Sequence, residues 1–294
     1  MRTEKPIEHT LEVGGAALGA AKNRAREQWS HDPCGAKYGE RHEFATRAFF
    51  EEVERHRYQD YAPWMREMMG FDKFAGARLL EVGCGMGTDL LQFARGGASC
   101  TGVDITPRSI EISRLHFMLY NAQADFLLAD SEQLPFADES FDVVYSNGVL
   151  HHTPDTARAV REIHRVLRPG GIAKVMLYHR NSFYYWSEII LHRGILRGHL
   201  LKGQSPEEIM SRYVEYSEHA ARPLVKAYSR SQARTLFERF RDVTTDVEQI
   251  TRVEFRALAP FIPEGLFRRL RRSFGWNVII TAKKNGGQNP ERRA

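Results

Sequence analysis

The stretch Leu79-Leu80-Glu81-Val82-Gly83-Cys84-Gly85-Met86-Gly87-Thr88-Asp89-Leu90 constrains this chain more than any other. An apolar run closes on an acid, three glycines alternate with other residues, and an amphipathic segment resumes through Leu90, Leu91, Phe93 and Ala94. That order reads as strand, tight loop, helix. Glycine at 83, 85 and 87 permits a sharp turn and a close ligand approach that a Cβ would forbid. The free N–H groups of the following helix face the same point. A nucleotide suits such a loop, and a glycine-rich turn without a ligand is the alternative that three glycines alone leave open.

Spacing narrows the choice. The third glycine of a dinucleotide fingerprint would fall at position 88, which is Thr88, and this disfavours an NAD-dependent oxidoreductase. The alternation Gly83-x-Gly85-x-Gly87, preceded by Glu81, resembles motif I of the class I S-adenosylmethionine (SAM) dependent methyltransferases, and the resemblance runs over roughly residues 77 to 180. It implies Glu81, Gly83, Cys84, Gly85 and Gly87 as cofactor contacts. S-adenosyl-L-methionine would be the cofactor and S-adenosyl-L-homocysteine its product. Alternating strands and helices argue for an α/β fold. The resemblance makes it a doubly wound, Rossmann-like sheet of seven strands, the last antiparallel, with an N-terminal helical cap and an insertion lid.

Ser99 to Asp104 is a second strand ending in an acid, and Thr106-Pro107 caps the next helix. In this fold class such a carboxylate sits beside a ribose and accepts both hydroxyls, which assigns Asp104, with Ile105 next to it, to the cofactor. Ala124 to Ala129 is a third strand. Asp130 and Ser131 then stand where an adenine amine and ring nitrogen would be met, and an Asx turn at Asp130 is the plainer reading. The Leu134-Pro135-Phe136 that follows matches the corresponding family segment.

Phe141 to Ser146 is a buried strand whose carboxyl end carries Asn147-Gly148-Val149-Leu150-His151-His152. Ligands bind at such ends in open α/β sheets, so Asn147 joins the cofactor set. The Leu-His-His segment resembles small-molecule methyltransferases of the ubiquinone and menaquinone C-methyltransferase type. An N-P-P-Y signature of amino-group methylases is absent, and Ser146 and Asn147 stand where a Mg²⁺-binding acid would be needed. His151 and His152 are the candidate proton acceptors, since imidazole is matched to neutral pH. Adjacent histidines point apart, so at most one reaches the acceptor, and His151→Gln is expected to spare SAM binding while slowing turnover. Histidines bonded to backbone are the plainer reading, and no ligand cluster has metal spacing, so no metal is expected. A helix from Thr153 stops at Arg168-Pro169-Gly170-Gly171, a turn before the strand Ile172 to Tyr178.

Residues 1–70 read as the helical cap, with an Ala-rich helix over Leu11 to Glu27 and further helices over Glu43 to Tyr58 and Tyr61 to Met69. The pair Pro33-Cys34 resembles the nucleophile segment of RNA cytosine-5 methylases. It precedes the glycine loop here rather than following the fourth strand, which argues against a catalytic Cys34. Residues 71–180 form the first part of the core. The alternation lapses over 181–228, a stretch rich in aromatic and basic residues that reads as a substrate lid. Residues 229–284 complete the core with a strand over Val243 to Ile250, a basic helix over Arg252 to Arg272 and a strand over Asn277 to Ala282. Residues 285–294 read as a disordered tail.

These features point to methyl transfer to the oxygen, nitrogen or carbon of a bulky small molecule, such as a secondary or cofactor-pathway metabolite. The 42 Lys and Arg against 37 Asp and Glu leave only +5, a solvated basic face rather than a nucleic-acid surface. An RNA methyltransferase using the basic C-terminal helix, and a non-catalytic SAM-binding protein, are the rival readings. Cys34, Cys84 and Cys100 provide no bridge framework, Val13 to Ala21 is too short and weakly apolar to span a bilayer, and acids stand near Met1 where a signal peptide needs bases. A cytoplasmic protein without a membrane partner is expected. Homo-oligomerisation is left open.

Overall fold

The computed structural model describes residues 9–215, 221–251, 254–255 and 260–286, with side chains from residue 19 onward. Seven strands form one sheet: β1 (Arg78–Val82), β2 (Ser99–Asp104), β3 (Asp125–Leu128), β4 (Phe141–Asn147), β5 (Leu167–Tyr178), β6 (Phe240–Glu248) and β7 (Asn277–Lys284). Their order is β3-β2-β1-β4-β5-β7-β6, and β7 runs antiparallel to both of its neighbours while the β3 to β5 pairings are parallel. This is the seven-stranded Rossmann-like arrangement that the sequence resemblance implies.

Period-two alternation builds two cores from one sheet. Leu80, Val82, Val144, Val278 and Ile280 face one way, and bury against α5 (Thr156–Val166) and α7 (Arg230–Leu236) through Val160, Ile163, Val166 and Ala233. Leu79, Val143, Tyr145 and Ile279 face the other way. They meet α3 (Thr88–Arg95) and α4 (Pro107–Leu119) through Leu90, Leu91, Phe93, Ile110 and Phe117. The sheet is therefore covered on both faces, as parallel strands require.

Before β1 the chain forms α1 (His9–His31) and α2 (Arg47–Arg55), and two π-helical turns, His56–Tyr61 and Arg66–Gly70, follow. Thr46 caps α2 by accepting from the Phe49 N–H, and Phe49, Phe50 and Val53 pack against Met86 and Ile112 of the core. Residues 181–228 contain a π-helical segment, Tyr185–Leu196, and α6 (Pro206–Tyr213), which begins with a complete capping box at Ser205 and Glu208. Tyr185, Ile189, Ile209, Met210 and Val225 bury together, with Tyr178 and Trp276 of the core against them.

Several expected boundaries move. The Arg168-Pro169-Gly170-Gly171 turn lies inside β5: Leu167 already pairs with Phe141, and the ladder shifts register before Val143 meets Ile172. Pro169 has no N–H to give and Gly170 sits at φ +79°, so the strand bulges there without ending. β6 starts at Phe240, three residues early, because the register shift between Arg241 and Thr244 absorbs Asp242 at φ +51°. The expected helix over Arg252 to Arg272 is helical as α8 from Glu264 to Phe274, and residues 252–253 and 256–259 lie outside the described residues. So do residues 287–294 of the expected tail. Among the described residues no helix is long and apolar enough to cross a membrane.

Candidate functional site

A cavity of about 1070 Å³ opens at the carboxyl ends of β1, β2, β4 and β5. Pockets for one ligand span about 300–1,000 Å³, so this one has room for a nucleotide cofactor and a second molecule. The glycine loop forms its floor. Gly83 lies at φ +77°, and a Cβ there would stand 2.3 Å from Cγ2 of Val149. Gly85, at φ +53°, has nothing within 4 Å of the Cβ position, so its backbone is bare toward a ligand. Gly87 starts α3 in the left-handed region, packs toward Ser113 and Phe117, and does not line the cavity. Its contribution is to turn the chain.

Asp104 stands at the end of β2 against this loop. Its Oδ2 accepts the Gly85 N–H at 3.0 Å, and its Oδ1 accepts from the Thr106 N–H and hydroxyl at 2.9 and 3.0 Å. Burial raises its pKa, and these donors oppose that. Oδ1 has both lone pairs engaged, and Oδ2 keeps one for a ligand hydroxyl. Ile105 follows it on the wall, and Cys84 lies beneath with its thiol pKa pushed well up by burial.

At the far side Asp130 and Ser131 line the same cavity. Asp130 Oδ1 accepts the Glu132 N–H, so the Asx turn is present, while Oδ2 receives Lys22 Nζ of α1 at 2.7 Å. Lys22 also meets Glu132 at 2.6 Å.

Glu81 is 3% exposed at the cavity wall, and its Oε2 has no hydrogen-bond partner among the described residues. Burial, then the neighbouring Asp89 carboxylate, pushes its carboxyl well above the usual carboxylate range, with Arg57 opposing. Asp89 keeps the charge of the pair. It accepts from Arg57 Nε and Nη2 at 2.6 Å each, and from the hydroxyls of Tyr58 and Tyr145. These bonds hold its carboxyl below the usual range although burial acts the other way. Asn147 also lines the cavity, with a buried Oδ1 that has no partner among the described residues.

The two histidines have different surroundings. His151 is 0% exposed and absent from the cavity wall, its ring stacks 3.8 Å from Tyr178, and neither ring nitrogen has a partner among the described residues. Its ring is enclosed in the protein and does not line the cavity. His152, 6% exposed, is on the wall. Its Nδ1–H donates to the Leu224 carbonyl at 2.8 Å, Nε2 is 3.7 Å from Glu215 Oε1, and the Trp29 ring meets it edge-on. Burial lowers its pKa, with Glu215 opposing, so the imidazole is the neutral form that can accept a proton. Cys34 opens into the same cavity. The residue is exposed at the cavity, yet desolvation by the surrounding atoms, then Glu215, raises its thiol pKa, the reverse of what an attacking thiolate needs.

Sequence reasoning did not single out Arg57, Asp89, Lys22, Trp29 or Glu215. Asp89 carried one signal, an acid in the first turn of the helix that follows the glycines. The others lie in segments without a motif and reach the site only through folding.

Residues 80–175 match the family described as Methyltransferase domain. The core is a class I SAM-dependent methyltransferase domain. Over 102 residues it is 41% identical to a 27-O-demethylrifamycin SV methyltransferase of Amycolatopsis mediterranei, covering 33% of this chain and 37% of that protein. Over 130 residues it is 34% identical to a ubiquinone biosynthesis O-methyltransferase of Pseudomonas aeruginosa, covering 43% of this chain and 54% of that one. The chain thus spans about a third to a half of the length of these curated relatives. In fold the chain is similar to a SAM-dependent methyltransferase from Methanosarcina mazei, with a TM-score of 0.53, 18% identity, and 75% and 97% of the two chains covered. It is also similar to the [4+2]-cyclase SpnF, with a TM-score of 0.52, 20% identity, and 81% and 82% covered. The methyltransferase site fits S-adenosyl-L-methionine on three counts: the bare Gly85 backbone, the Asp104 carboxylate, and the unmatched Glu81 oxygen, which suits an ammonium group.

Proposed function

We propose that this protein transfers the methyl group of S-adenosyl-L-methionine to a hydroxyl oxygen of a bulky, largely apolar small molecule. One observation carries the reading: a single cavity is lined by both the glycine loop and His152, whose Nε2 is the ring nitrogen not tied to backbone. Two similar proteins named O-methyltransferase or O-demethyl-substrate methyltransferase support oxygen as the acceptor atom.

The cofactor supplies a methyl carbon already attached to a good leaving group, so the protein's work is alignment and exclusion of water. Asp104 and the Gly83 to Gly85 backbone would hold the donor's ribose and amino-acid portion, and Glu81 its ammonium. Trp29, Tyr61, Trp64, Tyr178 and Trp276 line the rest of the cavity and suit an apolar body. His152 Nε2 would take the hydroxyl proton of the acceptor, and the imidazolium would return it to water.

The test is calorimetry with S-adenosyl-L-methionine, followed by mass spectrometry of the protein with quinols, phenols and hydroxylated macrocycles. Binding and one added methyl on oxygen are expected. Failure of the cofactor to bind, or methylation of nitrogen or of RNA instead, overturns the proposal.

A further inference from the structure

The insertion at 181–228 does more than cover the cavity. Two groups beside the His152 ring belong to it: the Leu224 carbonyl, which takes the Nδ1–H at 2.8 Å, and the Glu215 carboxylate, 3.7 Å from Nε2. We infer that Glu215 is the positioning residue that fixes His152 as the proton acceptor, so that the insertion completes the base rather than merely shielding it. This rests on the transfer reading given above.

The argument begins with the tautomer. A carbonyl only accepts, so the Leu224 bond places the ring proton on Nδ1 and leaves the lone pair on Nε2. Nε2 lies 3.7 Å from the Glu215 carboxylate oxygen, a pairing that becomes favourable once Nε2 carries a proton. Glu215 therefore stabilises the imidazolium and not the neutral ring, which is what a base needs at the moment of transfer.

The carboxylate is itself held in place. The Tyr178 hydroxyl donates to the same Oε1, tying the insertion to β5. Without that bond a glutamate at the edge of an insertion would spread over several rotamers. Among the described residues, the charged and titratable groups beside His152 come from several elements. Glu215 and Lys226 come from the insertion, His151 is the ring neighbour at 4.2 Å, Tyr178 comes from β5, and Trp29 of α1 contributes only its ring edge. Lys226 donates to the Pro154 carbonyl and opposes protonation of His152, so Glu215 is the one carboxylate among them.

The test uses the full chain with S-adenosylhomocysteine and labelled histidine, followed by NMR, with His152 assigned from the signal lost in His152→Gln. The nitrogen shifts of the wild-type protein should show Nδ1 protonated and Nε2 bare. In Glu215→Gln the proton affinity of His152 should fall about tenfold, and Glu215→Asp should recover part of it. Unchanged titration in Glu215→Gln overturns the inference. So does a wild-type ring carrying its proton on Nε2, a reading that needs no variant to fold. Wild-type protein that fails to bind S-adenosylhomocysteine sinks the transfer reading instead, and the His152 titration remains readable in its absence.

Discussion

Arg57 grips Asp89 through two nitrogens, Nε on Oδ1 and Nη2 on Oδ2, each at 2.6 Å, and so joins the π-helical turn before β1 to the first turn of α3. Tyr58 and Tyr145 complete the carboxylate's shell. The wall of the cavity beside Glu81 is fixed by this one charge.

Breaking such a pair leaves a charge stranded. Asp89→Asn should cost about 3–5 kcal/mol of folding stability, the usual price of an unpaired buried ion. Denaturant unfolding of the two proteins side by side reads the difference, and a change within 1 kcal/mol would show that Arg57 finds water.

Glu81 is expected to act in the opposite direction. Burial beside Asp89 raises its folded pKa above the unfolded value, so the folded protein binds the extra proton. Stability is then fully present below the unfolded pKa and declines as pH rises toward the folded one. Glu81→Gln, which cannot ionise, should melt close to wild type in acid and progressively above it as pH rises. Melting curves recorded upward from about pH 4, near the unfolded carboxyl value, decide this. S-adenosyl-L-methionine should in turn bind wild type more tightly at higher pH, because the ammonium needs the ionised form.

The two glycines should separate folding from binding. Gly83→Ala drives a Cβ to 2.3 Å from Val149 at φ +77°, so the loop must shift and stability fall. At Gly85 the added methyl meets no atom, so the cost is confined to the left-handed backbone, about 1–2 kcal/mol. That variant should fold yet lose cofactor affinity, because its methyl enters the cavity. Circular dichroism beside calorimetry distinguishes the two.

Asp104→Ala should weaken S-adenosylhomocysteine binding by at least about 30-fold, the loss expected when hydrogen bonds to a charged acceptor disappear. Normal affinity in this variant would remove the carboxylate from the ribose site.

His151 and His152 should respond differently to replacement. His152→Gln is expected to keep cofactor affinity and slow transfer by about 10²–10⁴, the range of a lost proton acceptor. His151 is buried and its pKa is driven well below the ordinary value, chiefly by desolvation. Its contribution to stability is present above the unfolded pKa and lost as pH falls. His151→Phe should keep the stack on Tyr178, leave turnover intact, and soften the decline in melting temperature in acid.

What could be read from the chain was local. Strand ends, the glycine loop, the Thr106 cap and the acids at 81, 104 and 130 follow from patterns a few residues long, and the structure brings all three acids to one cavity. The choice between His151 and His152 did not follow, because neighbours in a turn differ only in which side the tertiary structure fills. Asp89 finds Arg57 32 positions away and Tyr145 56 away, and Glu215 meets Tyr178 37 away. No spacing rule reaches so far. The Pro169-Gly170 segment reads as a stop locally, yet β4 pairs with Leu167 before it and Ile172 after it and carries the strand through as a bulge.

Lys22 spans Asp130 and Glu132 at 2.7 and 2.6 Å, clasping α1 across the cavity at the end where an adenine would lie. An entering base that draws on Asp130 takes hold of one half of that clasp. Nucleotide capture and retention of α1 would then draw on the same negative charge, that of Asp130.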